Sequence, residues 1–205
     1  MVRSVKMLIW GGCLALTLGS FQSTLGQETP NYIENFALAN AQGKLIELQD
    51  FADQQAVVVI FTSSNCSWAH SYEERIIRLH EDFISRQVAF IGINSNDPSV
   101  SLRDESSQMR AYSPFAFPYL KDSSQAIARQ FKATKNPEVF VLVPEGNTFR
   151  VVYQGKIDDN PLDQRMVQQH FLREALEATL NGRMPLSRRT SPQGCNIRWS
   201  ESMQR

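Results

Sequence analysis

The sequence has no excess of charge of either sign, because 21 lysine and arginine residues balance 21 aspartate and glutamate residues. Proteins that bind nucleic acid usually carry a basic surface, so we predict no nucleic-acid partner. The chain also lacks a glycine-rich phosphate loop, a dinucleotide-binding fingerprint and a Ser-His-Asp arrangement. With 205 residues, 42% of them hydrophobic, it is typical of one globular domain with attached segments.

Histidine is scarce, with three copies in the chain. His70 follows Cys66 by four positions, which is the spacing of one helix face, but two ligands do not make a zinc site. His80 and His170 have no supporting pattern around them. The sequence therefore predicts neither a metal site nor a bound cofactor.

The N-terminal segment has the order of a secretory signal peptide. It is basic at Arg3 and Lys6, apolar from 7 to 19, and rich in small and polar residues up to Gly26. The apolar run is too short for a convincing membrane span. We predict a leader at 1–26, an exported mature protein in the periplasm or the extracellular space, and no stable membrane span after cleavage. An uncleaved N-terminal anchor is the alternative.

Cysteine is also scarce, and Cys13, Cys66 and Cys195 form no Cys-x-x-Cys pair. Cleavage of the predicted leader removes Cys13 and leaves two cysteines in a compartment that permits disulfides. Cys66 then has one intramolecular partner, Cys195. This second cysteine could resolve an oxidised Cys66, form a permanent staple with it, or stay unpaired or joined to another molecule.

The apolar pattern predicts an α/β fold. Two alternating runs around the turn at 40–44 predict an N-terminal β-hairpin. Apolar runs predict strands near 56–62, 88–94, 138–143 and 149–155. Apolar residues at helical spacing predict helices at 68–84, up to Met109, up to Lys132 and at 161–180. Together they predict a mixed sheet with helices on both faces, in a domain at 30–182, followed by an irregular tail at 183–205 that carries Cys195.

Cys66 lies in a polar turn between the strand near 56–62 and the helix at 68–84. A sulfur at the first turn of a helix meets partial positive charge, which favours the reactive thiolate. A buried cysteine that acts as a small hydrophobic residue is the alternative. The polar neighbours Ser64, Asn65 and Ser67 favour an exposed turn and a reactive thiol.

The segment SSNCSWAHSYEERI, at 63–76, resembles the active site of a redoxin subgroup. The subgroup's motif reads Cys-Asn-His-Cys-Pro-Tyr followed by Ala-Tyr-Glu-Asp-Arg, and it belongs to the thioredoxin-like redoxins of the alkyl hydroperoxide reductase/thiol-specific antioxidant type. Ser63 stands at the first cysteine and Cys66 at the second. Tyr72, Glu73 and Arg75 keep the helix signature. The segments GINSND, FPYLKD, NPEVFVL, GKIDD and GCNIRW also look like this subgroup, so the resemblance covers about residues 30–200.

The resemblance implies a thioredoxin-like fold and a thiol-based oxidoreductase, active in thiol–disulfide exchange or as an antioxidant. Cys66 would be the reacting thiol and Cys195 its resolving partner. The substrates would be protein thiols and disulfides or a hydroperoxide, and an external reductant would recycle the protein. Two alternatives stay open, namely a peroxiredoxin-like peroxidase and a non-catalytic binding module with a structural disulfide.

The resemblance also implies roles for four further residues. Peroxiredoxins carry a hydroxyl three positions before the reacting cysteine, so Ser63 is a candidate catalytic residue, although one matched position favours the alternative of an ordinary serine in a turn. Pro137 resembles the cis-proline that faces the active-site cysteine, so we predict a cis bond after Asn136. Asn136, Pro137 and Trp68 are the candidate substrate-binding residues.

Overall fold

The computed structural model describes residues 30–99 and 102–201, without the side chains of 110–112. The predicted leader lies outside the described residues, so its cleavage stays a prediction. Within the described part of the chain, no helix is both long enough and apolar enough to cross a membrane.

The strands are β1 (Tyr32–Glu34), β2 (Ala37–Asn40), β3 (Leu45–Glu47), β4 (Ala56–Phe61), β5 (Val88–Asn94), β6 (Tyr119–Lys121), β7 (Lys135–Asn136), β8 (Glu138–Glu145), β9 (Thr148–Gly155) and β10 (Cys195–Asn196). The helices are α1 (Ser67–Ile84), α2 (Ser106–Tyr112), α3 (Ala126–Phe131) and α4 (Phe171–Leu180). Short 3-10 helices occupy Leu48–Phe51, Leu102–Asp104 and Gln164–Met166.

A mixed sheet of eight strands forms the centre of the molecule, in the order β1-β9-β8-β4-β5-β6-β2-β3. The strand β4 is parallel to β5 and antiparallel to β8, so it lies inside the sheet, and all of its residues are buried. The predicted N-terminal hairpin is the antiparallel pair β2 and β3. The α/β architecture predicted from the sequence is therefore confirmed.

The side chains of β4 alternate between the two faces of the sheet, as the period of a strand requires. Val59 and Phe61 join a cluster that includes Phe131 of α3. Val58 and Ile60 join a second cluster, formed with the apolar faces of α1 and α4. Each fully buried side chain of this kind contributes about 1.5–3 kcal/mol to folding. The helices thus cover both faces, and the sheet holds the end of β4 in a fixed place.

The predicted helix at 161–180 is wrong in its first half, because α4 begins at Phe171. Polar side chains bind nearby backbone groups in the segment before it. The Asn160 side-chain oxygen accepts the N–H groups of Leu162 and Asp163, and the Asp163 carboxylate accepts that of Arg165. Such local hydrogen bonds compete with those of a helix, so turns form there instead.

His80 on α1 packs against two phenylalanine rings, with centroid distances of 5.4 Å to Phe90 and 5.2 Å to Phe117. Partial burial lowers the pKa of His80 below its usual value of 6.5, while Glu81 opposes the shift. The unfolded chain therefore binds this proton at a higher pH than the folded protein does. Stability is then lost as the pH falls from 6.5 towards the pKa of the folded state.

We expect the free energy of unfolding in urea to decrease between pH 7.5 and pH 5, and to decrease less in the His80→Leu variant. Other groups that titrate in this range contribute equally to both proteins, so the difference between the two pH profiles isolates His80. Parallel profiles for the two proteins would contradict the assignment.

Candidate functional site

Cys66 connects the carboxyl end of β4 to α1. It is the N-cap residue of α1, and its carbonyl oxygen accepts the N–H of His70 at 3.0 Å. The N–H groups of the first turn have no partner within a helix, and their partial positive charge stabilises a negative sulfur at this position. Cys66 is only 2% exposed. The exposed turn expected from the sequence is therefore wrong at this residue, because other parts of the chain cover it.

Cys66 forms a disulfide with Cys195, and their Cα atoms are 6.0 Å apart. Cys195 is partly exposed and lies in β10, which pairs with β7 in antiparallel fashion. In this pairing Cys195 stands opposite Asn136. Of the arrangements that the sequence left open for Cys195, the structure contains the intramolecular bond.

The bond between Asn136 and Pro137 is cis, as predicted. The carbonyl oxygen of Asn136 lies 3.1 Å from the Cys66 Sγ atom. A disulfide sulfur has no hydrogen to donate, so this is a close contact in the oxidised protein, and a Cys66 thiol at the same place would donate a hydrogen bond. The fold therefore brings together Cys66, Cys195 and the Asn136-Pro137 segment.

Gly194 lets the tail approach the Asn136-Pro137 segment closely. A Cβ atom at this position would lie 2.2 Å from the carbonyl oxygen of Asn136 and 3.0 Å from the nitrogen of Pro137. No side chain fits without displacing backbone. The edge of β7, which contains the candidate substrate-binding residue Asn136, is thus already paired with the tail of the same chain.

The tail is fixed to the domain on both sides of Cys195. Ile197 is buried in the core cluster that contains Phe61. Before the cysteine, the hydroxyl of Thr190 lies 2.7 Å from that of Tyr153, within hydrogen-bonding distance. These contacts involve atoms other than the two sulfurs, so they anchor the tail on both sides of Cys195 in addition to the disulfide.

Ser63 lies in the turn before Cys66, and its hydroxyl forms hydrogen bonds with groups other than the Cys66 sulfur. The hydroxyl donates to Asp104 Oδ1 at 2.9 Å and accepts from the Asn96 side chain at 2.9 Å and from the N–H of Asn65 at 3.0 Å. Both Ser63 and Asp104 are buried. This bonding fixes the shape of the turn before Cys66.

Asn96 and Asp104 are site residues that sequence reasoning missed. Besides Ser63, Asn96 binds Asn136, whose side-chain N–H donates to Asn96 Oδ1 at 3.2 Å, and the N–H of Arg198 donates to the same oxygen at 2.9 Å. Asn96 therefore joins the turn before Cys66, the segment before Pro137 and the tail. The available signal was the polar stretch directly after β5, at the sheet edge where parallel strands place functional groups.

Glu138 is a third residue missed from the sequence, and it holds the segment that precedes Pro137. One carboxylate oxygen accepts the N–H groups of Thr134 at 2.8 Å and Lys135 at 3.2 Å, and the other accepts from the Gln154 side chain at 2.7 Å. A buried carboxylate requires donors of this kind. Glu138 thereby fixes β7, on which the tail pairs.

Trp68 and His70 follow Cys66 on α1. Trp68 is 36% exposed, so it is available to a partner that approaches this end of the helix. The His70 ring nitrogens lie 2.7 Å from Glu73 Oε1 and 3.1 Å from the carbonyl oxygen of Ser64, and His70 pairs with these atoms. Among the residues with described positions, no group of three or more His, Cys, Asp or Glu side chains could hold a metal ion.

Tyr72 and Arg75, from the helix signature, both bind Asp158 of the GKIDD segment. The Tyr72 hydroxyl donates to Asp158 Oδ1 at 2.9 Å, and the Arg75 guanidinium donates to Oδ2 at 2.6 Å and to the carbonyl oxygen of Pro161 at 2.7 Å. Burial and the Asp158 carboxylate raise the pKa of Tyr72, so its hydroxyl stays a donor. The two sequence segments thus form one clamp that fixes the loop after β9 to α1.

We expect Asp158→Ala to lower the free energy of unfolding by about 3–5 kcal/mol, because it leaves the partly buried Arg75 charge without its carboxylate partner. Arg78→Ala on the same helix is the matched control. It breaks an exposed ion pair with Glu74, which contributes about 0.3–0.5 kcal/mol. Chemical denaturation of the three proteins measures both effects, and equal losses in the two variants would contradict the clamp.

Comparison with known proteins places this architecture in a family. A family model described as AhpC/TSA family matches residues 26–159. No curated protein matches the chain. Among solved structures, a hypothetical protein of Sinorhizobium meliloti 1021 is 30% identical with a TM-score of 0.77, and the match covers 86% of this chain and 97% of that one.

Two solved structures with assigned activities are more distant. A Chlorobium tepidum protein assigned as thiol:disulfide interchange protein DsbE is 16% identical with a TM-score of 0.54, covering 76% of this chain and 96% of that one. Peroxidoxin BcpB of Mycobacterium tuberculosis is 18% identical with a TM-score of 0.53, and the match covers 75% of this chain and 96% of that one. At this distance they show a shared thioredoxin-like fold and do not separate the two activities. Because the family model covers more than half of the sequence, the chain belongs to the AhpC/TSA family of thioredoxin-like redoxins.

Proposed function

We propose that the protein is an exported thiol-based oxidoreductase that exchanges disulfides through Cys66 and Cys195. The observation that carries the proposal is the pairing of the N-cap cysteine of α1 with a cysteine of the tail, beside the cis-proline segment. The distant Cys195 takes the place of the cysteine that Ser63 replaces in the active-site motif.

The chemistry requires a two-electron couple. When the reduced protein meets a substrate disulfide, one protein thiolate attacks a substrate sulfur, forms a mixed disulfide and releases the first substrate thiol. The other protein thiolate then attacks the protein sulfur of that mixed disulfide and releases the second substrate thiol. The protein is oxidised to the Cys66–Cys195 disulfide, and an external thiol reductant restores the two thiols.

Preorganisation of the two cysteines supports this function. The contacts of Ile197 and Thr190 anchor the tail in addition to the disulfide, so the second step needs no large movement. The N-terminus of α1 stabilises Cys66 as a thiolate, which favours the reduced state of the couple. Stabilisation of the Cys66 thiolate makes the bond easier to open than a purely structural disulfide, and the preorganised tail makes it quick to close again.

The reduction potential tests the proposal against the structural staple. Structural disulfides in secreted proteins typically have reduction potentials below about −300 mV. We expect the Cys66–Cys195 couple to have a potential above this value. The folded protein is equilibrated with dithiothreitol or glutathione redox buffers, its free thiols are alkylated, and the redox state is read by mass. A bond that opens only in denaturant, or a lower potential, would contradict the proposal. The single variants Cys66→Ser and Cys195→Ser serve as controls that cannot form the couple.

Peroxidase activity is the competing outcome within this family. A peroxidase of this type needs a hydroxyl that binds the thiolate and the peroxide, whereas the Ser63 proton is committed to Asp104. We therefore expect slow consumption of hydrogen peroxide in stopped-flow measurements and faster reduction of a mixed-disulfide probe. The reverse ranking would favour the peroxidase.

Export is the second part of the proposal. It is supported by the leader pattern at 1–26 and by a disulfide, which is compatible with an oxidising compartment. The mature protein would then consist of the domain at 30–182 and the tail at 183–205. Recovery of the protein from the cytoplasm with Met1 intact would contradict export.

A further inference from the structure

We propose that external thiols attack Cys195, and that Cys66 is the resolving thiol. This assignment rests on the proposed disulfide exchange and adds the order of its steps. It reverses the order expected from the sequence resemblance, in which Cys66 reacts first and Cys195 resolves. Three features of the oxidised site support it, and they concern access, the departing sulfur and the occupied edge of β7.

Access differs between the two ends of the bond. Cys66 is 2% exposed, whereas Cys195 is partly exposed in the outer strand β10. The carbonyl oxygen of Asn136 also lies 3.1 Å from the Cys66 sulfur, and its partial negative charge disfavours an incoming thiolate on that side. Because the attacking thiolate must reach the sulfur to which it bonds, Cys195 is the better target.

The departing sulfur also differs. Attack on Cys195 makes Cys66 leave as a thiolate at the N-cap of an 18-residue helix, where the first-turn N–H groups stabilise negative charge and offset the Asn136 carbonyl oxygen beside the sulfur. Attack on Cys66 would place that charge on Cys195, which lies in a strand and has no helix N-terminus of its own. A thiolate that is better stabilised leaves faster.

The pairing of β10 with β7 limits the kind of partner. An extended peptide cannot pair with the edge of β7 while the tail occupies it. The partner is therefore a thiol that reaches Cys195 from the solvent side, such as a low-molecular-weight thiol or an exposed cysteine of a reductase. Glutathione is a suitable probe.

The steps balance as follows for reduction by glutathione. A glutathione thiolate bonds to the Cys195 sulfur, the bond between Cys195 and Cys66 breaks, and its electron pair remains on Cys66. A second glutathione thiolate attacks the glutathione sulfur of this mixed disulfide and releases Cys195, which takes up a proton. When a substrate disulfide oxidises the reduced protein, the Cys195 thiolate attacks a substrate sulfur and releases the first substrate thiol. Cys66 then attacks the Cys195 sulfur of the mixed disulfide and releases the second substrate thiol.

Mapping of the mixed disulfide in the wild-type protein tests the order. The oxidised mature protein is mixed rapidly with glutathione, quenched with acid and alkylated with N-ethylmaleimide, and its peptides are identified by mass. We expect glutathione on Cys195 and the alkyl group on Cys66, in an excess of at least about fivefold over the opposite arrangement. Equal amounts, or an excess of glutathione on Cys66, would overturn the assignment.

The single-cysteine variants decide the question if too little mixed disulfide accumulates. Each variant reacts with glutathione disulfide over a range of pH, so that rates are compared per thiolate. We expect the Cys195 thiolate, in Cys66→Ser, to react at least about fivefold faster than the Cys66 thiolate, in Cys195→Ser. A faster Cys66 thiolate would overturn the order alone. If thiols fail to reduce the folded wild-type protein, the proposed function itself fails.

Discussion

Replacing Gly194 with alanine is expected to weaken the docking of the tail and to slow formation of the disulfide. The new Cβ would lie 2.2 Å from the carbonyl oxygen of Asn136, which belongs to backbone fixed by β7 and Glu138. Overpacking of this kind and an unfavourable backbone conformation together cost roughly 2–5 kcal/mol. Cys195 would then spend less time beside Cys66. Urea unfolding measures the loss, and alkylation during oxidative refolding measures the rate.

Gly146→Ala is the matched control for this substitution. Gly146 also has a positive φ, of 63°, but nothing lies within 4 Å of a Cβ built there. We expect a loss of about 1–2 kcal/mol from the backbone alone and a normal rate of disulfide formation. An oxidation rate for Gly194→Ala equal to that of the control would show that the close approach of the tail does not matter.

Opening the disulfide is expected to cost as much stability as removing it by mutation. The bond joins residues separated by 129 positions, and the loop-entropy model gives at most about 5 kcal/mol for a loop of this length. We expect the free energy of unfolding of the oxidised wild-type protein to exceed that of the Cys66→Ser and Cys195→Ser variants by up to this amount. The reduced wild-type protein should match the variants within about 1 kcal/mol.

The comparison uses urea unfolding with and without reductant, and the two variants provide the control because reductant should not change them. We expect the reduced protein to remain folded at 25 °C, since Ile197 packs in the core and the central eight-stranded sheet contains neither cysteine. Equal stability of the oxidised and reduced wild-type proteins would mean that the bond is strained in the folded state or that the unfolded state is already compact.

The sequence determined the elements of the fold because their signals are local. The apolar runs near 56–62 and 88–94 were long enough to identify buried strands, and they became the neighbouring strands β4 and β5. The cis bond before Pro137 was predicted from the family resemblance, and it is confirmed. The helix predicted at 161–180 was wrong before Phe171, because the polar turn chemistry of Asn160 and Asp163 was not recognised against the helical spacing.

The sequence also limited the partner of Cys66 by simple counting, but only the tertiary structure decided that the bond to Cys195 forms. The pairing depends on a tail that crosses the domain and on a glycine that fits against Asn136. Neither has a local signal in the sequence, since the tail is rich in residues typical of irregular segments.

The surroundings of the sulfur were likewise decided by tertiary structure. The polar turn around Cys66 indicated exposure, yet the folded chain buries that cysteine. The spacing of Ser63 and Cys66 suggested a direct role for the hydroxyl, yet Asp104, 41 positions away, accepts its proton. Spacing along the chain predicts which side chains share a helix or a strand. Hydrogen bonds between distant segments depend on where the sheet brings those segments together, and that is fixed only when the core packs.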